Sequence, residues 1–374
     1  MWVSELDVQQ WRNHAHTTVH LEKGVTLFIG PNGQGKTNMV EALYYLSTLS
    51  SHRVSSSAAL IKDDAAHATV VAKLHHATRS VTVGLTLKRK GSSEAVVNQT
   101  KARASEIPQW VSTVMFSPED ASIIRGEPGM RRAFMDQLVT SASSVLAGVY
   151  QDFDRVLRQR NSLLKSLRGA GPRADHSTLE VWDAKFVELS ARIMVERHTY
   201  LQAVMPLLAE HYAHLASGDA VGFTYLPSSR PHMDGLAEGD VPVVTSQLRA
   251  DIETKRQEEL DRGMTLLGPQ RDDLELTISG KPARTHASQG ETWSLALGLR
   301  LATAQWLRHE KTSGDPIIIL DDVFAELDAS RRKKLLALVT DYEQLIVTSA
   351  VEEDLPHELM GVVYDVAQGQ VTKR

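Results

Sequence analysis

The sequence predicts an α/β fold whose strands and helices are interrupted along the chain by an inserted helical region. A β-rich apolar run over 25–29 leads directly into a glycine-rich loop and then into a helical pattern. In the middle of the chain, over 130–215, apolar residues recur at helical intervals. From residue 266 onward, short strand patterns alternate with helical ones again.

The N-terminal part is predicted to consist mainly of strands. Four strands are predicted outside the glycine-rich loop, at 2–8, 17–21, 70–75 and 80–88. The strand at 25–29 precedes a helix over 37–47, in which Met39, Leu43 and Leu46 share one face.

Two long helices, over 130–167 and 179–215, are predicted for the middle of the chain. The segment 169–172 contains glycine and proline and separates them, which favours an antiparallel pair of helices. Their apolar residues form no regular heptad, so we expect a packed helical lobe with a short arm, not a long coiled coil. A loop over 227–245 and a polar helix over 247–262 follow.

Strand and helix patterns alternate through the C-terminal part. Strands are predicted at 274–278, 317–320, 345–347 and 362–366, with helices at 291–309 and 331–339. The α/β part of the fold is therefore expected to contain segments from both ends of the chain.

Composition is that of an ordinary globular protein. Of the 374 residues, 42% are hydrophobic and 23% charged, with a net charge of −5. With an acidic total, any binding of nucleic acid must depend on local basic clusters. The chain has no cysteine, which excludes disulfides and thiolate metal sites. Because neither a signal-peptide pattern nor a long apolar run is present, we expect a cytoplasmic protein without a membrane segment.

The glycine-rich loop matches the pattern GxxxxGK[ST] of a P-loop. It consists of Gly30, Pro31, Asn32, Gly33, Gln34, Gly35, Lys36 and Thr37. In such a loop, backbone N–H groups curl around phosphates and the N-terminus of the next helix adds its positive dipole end. Lys36 is expected to reach the β- and γ-phosphates of ATP, and the Thr37 hydroxyl to ligate Mg²⁺.

The strand at 317–320 ends in two acids, the Walker B pattern. Asp321 is predicted to hold Mg²⁺, directly or through water. Asp322 is placed to orient or deprotonate the attacking water, and with Lys36 it is our candidate for catalysis.

The separation of these two motifs predicts how the chain is organised. Lys36 and Asp321 lie near opposite ends of the sequence, so the helical region must loop out and return. We therefore divide the chain into an N-terminal half of an ATPase lobe (1–125), a helical insertion lobe (126–265) and a C-terminal half of the ATPase lobe (266–374).

A third motif, Ser288, Gln289 and Gly290, opens a predicted helix. Ser288 and Glu291 have the spacing of a capping box, which accounts for both residues structurally. Capping does not account for Gly290, because glycine is unfavourable within a helix. The alternative is an anion site that caps the γ-phosphate held by a second protomer.

Smaller features have weaker explanations in the sequence. Arg12 and Asn13 follow a strand and are either surface polar residues or contacts to phosphate or base. His14 and His16 are interpreted as solvated, and the charged turn 268–273 has no evident role. The basic cluster from Arg155 to Arg168 lies in a stretch without acids that extends to Arg173, and it is either a solvated helix face or a surface able to follow a phosphate backbone.

Taken together, these motifs resemble those of the RecF family, recombination-repair ATPases related to SMC proteins and ABC ATPases. The resemblance covers nearly the whole chain and rests on WRNH at 11–14, GPNGQGKTN at 30–38, FSPED at 116–120, Arg131-Arg132, LLGPQRDD at 266–273, SQGE at 288–291 and LDDVFAELD at 320–328. It implies a P-loop lobe of the ABC/SMC type, split in sequence, with an inserted α-helical lobe.

The resemblance also implies a function. Members of the family dimerise around two ATP molecules, so Ser288 would act on the nucleotide of the partner subunit. Arg12 and Asn13 match positions near the nucleotide. The family binds single-stranded or gapped DNA, acts with RecO and RecR to load RecA, and hydrolyses ATP slowly as a switch.

The sequence departs from the family and from related ATPases at three places. Glu291 stands where the signature often has glutamine, and Asp322 stands where many ABC ATPases have glutamate. The segment 348–350 lacks the switch histidine of transporters.

Two alternative functions are an ATPase subunit that drives a membrane partner and a nuclease of the SMC-like group. The nuclease would need an additional acidic metal cluster.

Overall fold

The computed structural model describes residues 1–54, 56–169, 177–216, 219–229, 240–310 and 314–374. Contacts divide the chain into two compact units. The first unit contains Met1–Ala121, Leu207–Asp219 and Ser288–Arg374, and the second contains Ser122–Pro206 and Ala220–Ala287. The predicted division of the chain into three segments, with boundaries at 126 and 266, stays a prediction.

The described strands are β1 (Trp2–Trp11), β2 (His14–His20), β3 (Gly24–Ile29), β4 (His67–His76), β5 (Arg79–Lys88), β6 (Glu94–Val97), β7 (Thr100–Ala102), β8 (Thr113–Phe116), β9 (Val221–Leu226), β10 (Asp273–Ile278), β11 (Lys281–Pro282), β12 (Ile317–Asp321), β13 (Gln344–Ser349), β14 (Val362–Ala367) and β15 (Gln370–Lys373). The described α-helices are α1 (Lys36–Thr48), α2 (Ala121–Arg125), α3 (Pro128–Ala142), α4 (Ser144–Leu167), α5 (Ser177–Leu215), α6 (Val241–Arg262), α7 (Ala283–His286), α8 (Gln289–Glu310) and α9 (Ala329–Val339).

A six-stranded sheet joins both ends of the chain in the first unit. Its order is β15-β14-β3-β13-β12-β8, and all of its pairs are parallel except β14 with β15. The residues of β12 are all buried, as expected for a continuous apolar strand inside a parallel sheet. The prediction of an α/β lobe split in sequence is therefore confirmed.

An antiparallel sheet in the order β2-β1-β4-β5-β6-β7 completes the first unit. Helix α1 contributes Met39, Leu43 and Leu46 to a core that also contains Val8 of this sheet and Ile346 of the parallel sheet. All five side chains are almost completely buried. This burial fixes α1, and with it the P-loop that precedes it, against both sheets.

The second unit is built from helices and a small sheet in the order β11-β10-β9. Helices α4 and α5 are antiparallel, as predicted: the rings of Phe153 and Phe186 lie 5.7 Å apart, and Arg160 contacts Asp183 at 2.8 Å. The continuous helix predicted over 130–167 is wrong. Ser143 is extended, with φ −142° and ψ 121°, and separates α3 from α4.

Two other sequence predictions differ from the structure in this region. Helix α6 begins at Val241, so the loop predicted over 227–245 is wrong for 241–245; a proline in the first helical turn loses no hydrogen bond. Residues 230–239 of that loop, and 170–172 of the predicted break, lie outside the described residues. The pattern also missed β8 and β9, which are only four and six residues long.

A buried ion network holds α4, α5 and α6 together. The guanidinium of Arg160 is fully buried and donates to Asp183 at 2.8 Å and to Glu259 at 2.5 Å, with a further bond to the Thr265 hydroxyl at 2.7 Å. Arg160 is therefore not available to a phosphate backbone, and the prediction made from the acid-free stretch is wrong for this residue. The acidic partners of Arg160 lie 23 and 99 positions away in the sequence, outside the acid-free stretch. Arg155, on the same helix, is paired with Asp152.

Among the residues that the structure describes, no helix combines the length and the apolar character needed to cross a membrane.

Arg160→Met tests the energetic weight of this network. The substitution leaves the buried carboxylate of Glu259 without its cation, whereas Asp183 keeps its pair with Arg256. We therefore expect a loss of about 3–5 kcal/mol in the free energy of unfolding. Arg155→Ala is the matched control on the same helix, where an exposed pair contributes only about 0–1 kcal/mol. Urea unfolding of both variants measures the difference, and equal effects would contradict the assignment.

Candidate functional site

Two glycines allow the P-loop to curl between β3 and α1. Gly35 has φ 119° and precedes the first residue of α1. A Cβ at this position would lie 2.9 Å from side-chain atoms of both Asn13 and His14. At Gly30, a Cβ would overlap the carbonyl oxygen of Val366. Both positions therefore require glycine, because the loop packs directly on β14 and on the turn after β1.

The ammonium group of Lys36 lies inside the curl of the loop. It donates to the carbonyl oxygens of Gly30 at 2.7 Å and Pro31 at 3.3 Å, and approaches Asn32 Oδ1 at 3.4 Å. The residue is 3% exposed. A buried cation surrounded by loop carbonyls and backbone N–H groups is suited to receive phosphate oxygens.

His14 supports the loop from beneath and is not solvated, so that interpretation is corrected. Its Nε2 lies 3.0 Å from the Gly35 carbonyl oxygen and its Nδ1 2.9 Å from that of Gly369. Burial lowers the pKa of His14, and the two carbonyls oppose this only in part. The signal missing from the sequence was the return of the C-terminal turn at 368–369 to the P-loop.

Asn13 holds the loop from the side. Its Nδ2 donates to the Gln34 carbonyl at 2.9 Å, and its Oδ1 accepts from Asn38 Nδ2 at 2.8 Å. The backbone N–H of Gly369 donates to the same Gln34 carbonyl. Asn13 therefore lies in contact with the P-loop, and its place near a nucleotide stays a prediction.

Arg12 is committed to other groups in the structure. It has φ 51°, and its guanidinium donates twice to the buried carboxylate of Glu41 at 2.9 Å and once to the Ala59 carbonyl at 3.2 Å. Ser51 also donates to Glu41, at 2.5 Å. The contact of Arg12 with a nucleotide stays a prediction.

The Walker B carboxylate of Asp321 meets the end of the P-loop. Thr37 Oγ1 donates to Asp321 Oδ1 at 2.9 Å, and Thr348 Oγ1 donates to the same atom at 2.7 Å. Thr348 lies at the carboxyl end of β13, which separates β3 from β12 in the sheet. Sequence reasoning missed Thr348 because the motif strands do not reveal which strand lies between them.

Electrostatics make this carboxylate a site for a cation. Burial, together with the nearby charge of Asp322, raises the pKa of Asp321 to about 6, although the hydrogen bonds from Thr348 and Thr37 oppose the rise. Asp322 has φ 52° and donates its backbone N–H to Thr348 Oγ1 at 3.0 Å, leaving its side chain partly exposed. Carboxylate and hydroxyl oxygens are the ligands Mg²⁺ prefers, so the donor set of Thr37 and Asp321 fits that ion.

The signature motif begins α8 with the capping box expected from its sequence. Ser288 N–H donates to Glu291 Oε2 at 2.7 Å, and Glu291 N–H donates to Ser288 Oγ at 3.3 Å. Glu291 therefore preserves the cap where glutamine is common. Ser288 and Gln289 are exposed, and within the described chain no hydrogen bond joins them to the P-loop.

Two motifs of the resemblance serve as anchors within their units. In FSPED, Asp120 binds the buried guanidinium of Arg300 on α8 at 2.7 and 3.1 Å, and thereby fixes α8 beside β8. The turn 268–273, whose role could not be predicted from its residues, is an anchor in the second unit. Asp272 is fully buried beside Tyr225 and Arg197, and Asp273 binds Arg131 at 2.6 Å.

The comparisons with known proteins agree with this geometry. Residues 2–372 match the family model described as the RecF/RecN/SMC N terminal domain. The DNA replication and repair protein RecF of Clavibacter michiganensis subsp. michiganensis is 42% identical, over 99% of this chain and 96% of that protein. The chain belongs to the RecF family. The resemblance drawn from the motifs is thereby confirmed.

Other relatives of this RecF-family chain extend the finding. RecF of Streptomyces avermitilis is 43% identical, with both chains fully covered. A solved structure of the recombination mediator protein RecF with ATP, described as part of the RecFOR pathway, has a TM-score of 0.89 at 28% identity, over 100% of this chain and 97% of that one. An Smc head domain shares the fold with a TM-score of 0.54 at 16% identity. The RecF family and the ATP-bound relative support ATP binding by this chain.

Asp321→Asn tests the buried charge. A raised carboxyl pKa means that the folded state holds a proton that the unfolded state releases, so ionisation costs stability as pH rises from 3.8 to about 6. In the absence of Mg²⁺ we expect the asparagine variant to be more stable than the native protein by roughly 3 kcal/mol at pH 8, with no difference at pH 3.5. Thermal unfolding at the two pH values, in EDTA, measures this. A destabilised variant at pH 8 would contradict the assignment.

Proposed function

We propose that this RecF-family chain is an ATP-dependent DNA-binding protein of recombinational repair. ATP binding closes a dimer on single-stranded or gapped DNA, and slow hydrolysis reopens it. The observation that carries the proposal is the contact between Thr37 and Asp321, which brings the two ends of the chain to one phosphate-binding loop. The name of the ATP-bound relative supports the choice of nucleotide.

The nucleotide site is proposed to contain the whole P-loop and its supports. Lys36 binds the β- and γ-phosphates, the backbone of 30–35 surrounds them, and Arg12 and Asn13 complete the edge of the site. Thr37 and Asp321 hold Mg²⁺, which when bound neutralises charge on the phosphates. Asp322 orients or deprotonates the attacking water, and its short side chain suits slow turnover.

The exposed signature motif is proposed to act on the nucleotide of a second copy. Ser288, Gln289 and Gly290 form the first turn of a long helix, whose N–H groups and positive dipole end favour an anion. Among the residues that the structure describes, no hydrogen bond joins them to the P-loop of their own protomer. A γ-phosphate presented by the partner would satisfy them, so ATP, but not ADP, closes the dimer.

DNA is the proposed cargo of the closed dimer, with RecO and RecR as partners in loading RecA. The chain carries a net charge of −5, so binding to DNA depends on local basic surface that dimerisation assembles. The resemblance to the family and the RecFOR wording of the structural relative support these partners.

Light scattering with ATP, ADP or no nucleotide tests the proposal, with and without gapped DNA. We expect the dimer mass and the tightest DNA binding only with ATP. Lys36→Ala removes the buried cation at the phosphates and should abolish both effects. Lys90→Ala, at an exposed lysine on the turn after β5, is the control for the dimer and should form it with ATP like the native protein.

A native chain that stays monomeric with ATP and binds gapped DNA equally well under all three conditions would reject the proposal. Copurification with a membrane protein whose transport depends on Lys36 would favour the alternative of a transport-type ATPase subunit.

A further inference from the structure

The first turn of α8 packs against a side chain from α9. Arg331, two residues into α9, directs its guanidinium at Gly290 of the signature motif. A Cβ on Gly290 would lie 2.5 Å from Arg331 Nη2 and 3.1 Å from its Cζ. A Cβ this close to Nη2 would force the guanidinium end of the Arg331 side chain to move, so glycine is the residue that leaves the guanidinium in this position. This explains the glycine that capping alone did not explain.

Arg331 makes further bonds that fix its position. Its Nε donates to Ser294 Oγ, one turn along α8 from the signature, at 3.2 Å. Its Nη1 is paired with the carboxylate of Asp328, and Asp328 Oδ1 accepts from the Arg331 backbone N–H at 3.0 Å as the cap of α9. Asp328 is the last residue of the segment 322–328, and the first residue of that segment is the candidate catalytic acid, Asp322.

The placement of this cation is not explained by the stability of α8. A positive charge near a helix N-terminus opposes the helix dipole and is unfavourable unless an anion is close by. The guanidinium is paired with the carboxylate of Asp328, whose side chain is 52% exposed, so water weakens the attraction between them. A phosphate arriving at the signature would remove this unfavourable interaction.

We propose that Arg331 is a positioning residue for the signature motif. It fixes the first turn of α8 to the segment that follows Asp322, so that Ser288–Gly290 meet the γ-phosphate of the partner subunit in one geometry. Through Asp328 it also connects that geometry to the candidate catalytic acid of its own subunit. The inference rests on the proposed function, because it deepens the role given there to Ser288.

The first test separates nucleotide binding from dimer closure. In Arg331→Ala, the P-loop is untouched, so the affinity of a single protomer for ATP should equal that of the native protein. The ATP-dependent dimer should weaken by about tenfold, because the loss of charge-assisted hydrogen bonds loosens the signature. Lys333→Ala removes a positive charge from the exposed side of the same helix and is the matched control, expected to dimerise normally.

The second test measures the packing itself and does not depend on the function. Gly290→Ala should lower the melting temperature of the native protein, because the new methyl group meets the guanidinium. In the Arg331→Ala background the same substitution should raise the melting temperature, because alanine is the better helix former once the guanidinium is gone. Circular dichroism of the four proteins gives the cycle.

The outcomes distinguish the two proposals. If the native protein forms no dimer with ATP, the proposed function fails, whatever Arg331 does. If the native protein dimerises and Arg331→Ala dimerises equally well, the positioning role is overturned. Equal effects of Gly290→Ala in both backgrounds would also overturn it, since the two residues would then be uncoupled.

Discussion

The site depends on one carboxyl group. Asp321 Oδ1 accepts from Thr37 at 2.9 Å and from Thr348 at 2.7 Å, and these three residues come from α1, β12 and β13. Thr37 and Asp321 are separated by 284 positions in sequence. Because the carboxyl is buried and its pKa is raised to about 6, the fold keeps a group there that a cation would stabilise. The split parallel sheet is the scaffold that brings both ends of the chain to this point.

The supports of the P-loop follow from the same arrangement. The antiparallel sheet supplies Asn13 and His14, and the turn between β14 and β15 supplies Gly369, so that backbone groups of the loop are held from three directions. Such a loop needs little rearrangement to surround phosphates, which lowers the cost of binding. The signature helix α8 is fixed separately, by the bond from Arg300 to Asp120 and by the bond from Arg331 to Ser294.

Local patterns in the sequence predicted many elements of the fold and of the site. Features that depend on contacts between residues far apart in the sequence could not be predicted. The P-loop, the Walker B strand and the capping box are each defined by neighbours within a few residues, so their spacing alone reveals them. The role of Thr348 and the burial of His14 depend on which strands and turns become neighbours in space. Arg160 appeared to lie in an acid-free surface stretch because Glu259, its buried partner, is 99 residues away.

In the proposed nucleotide site, the Asp321 carboxyl connects residues from the two ends of the chain. Isothermal titration of Mg²⁺-ATP into Thr348→Val tests this most directly, because that substitution removes only the hydroxyl that orients Asp321. We predict about tenfold weaker binding with Mg²⁺ and little change in EDTA. Thr372→Val, on exposed β15, should bind normally in both conditions. Equal Mg²⁺-dependent affinity for Thr348→Val and the native protein would contradict the account.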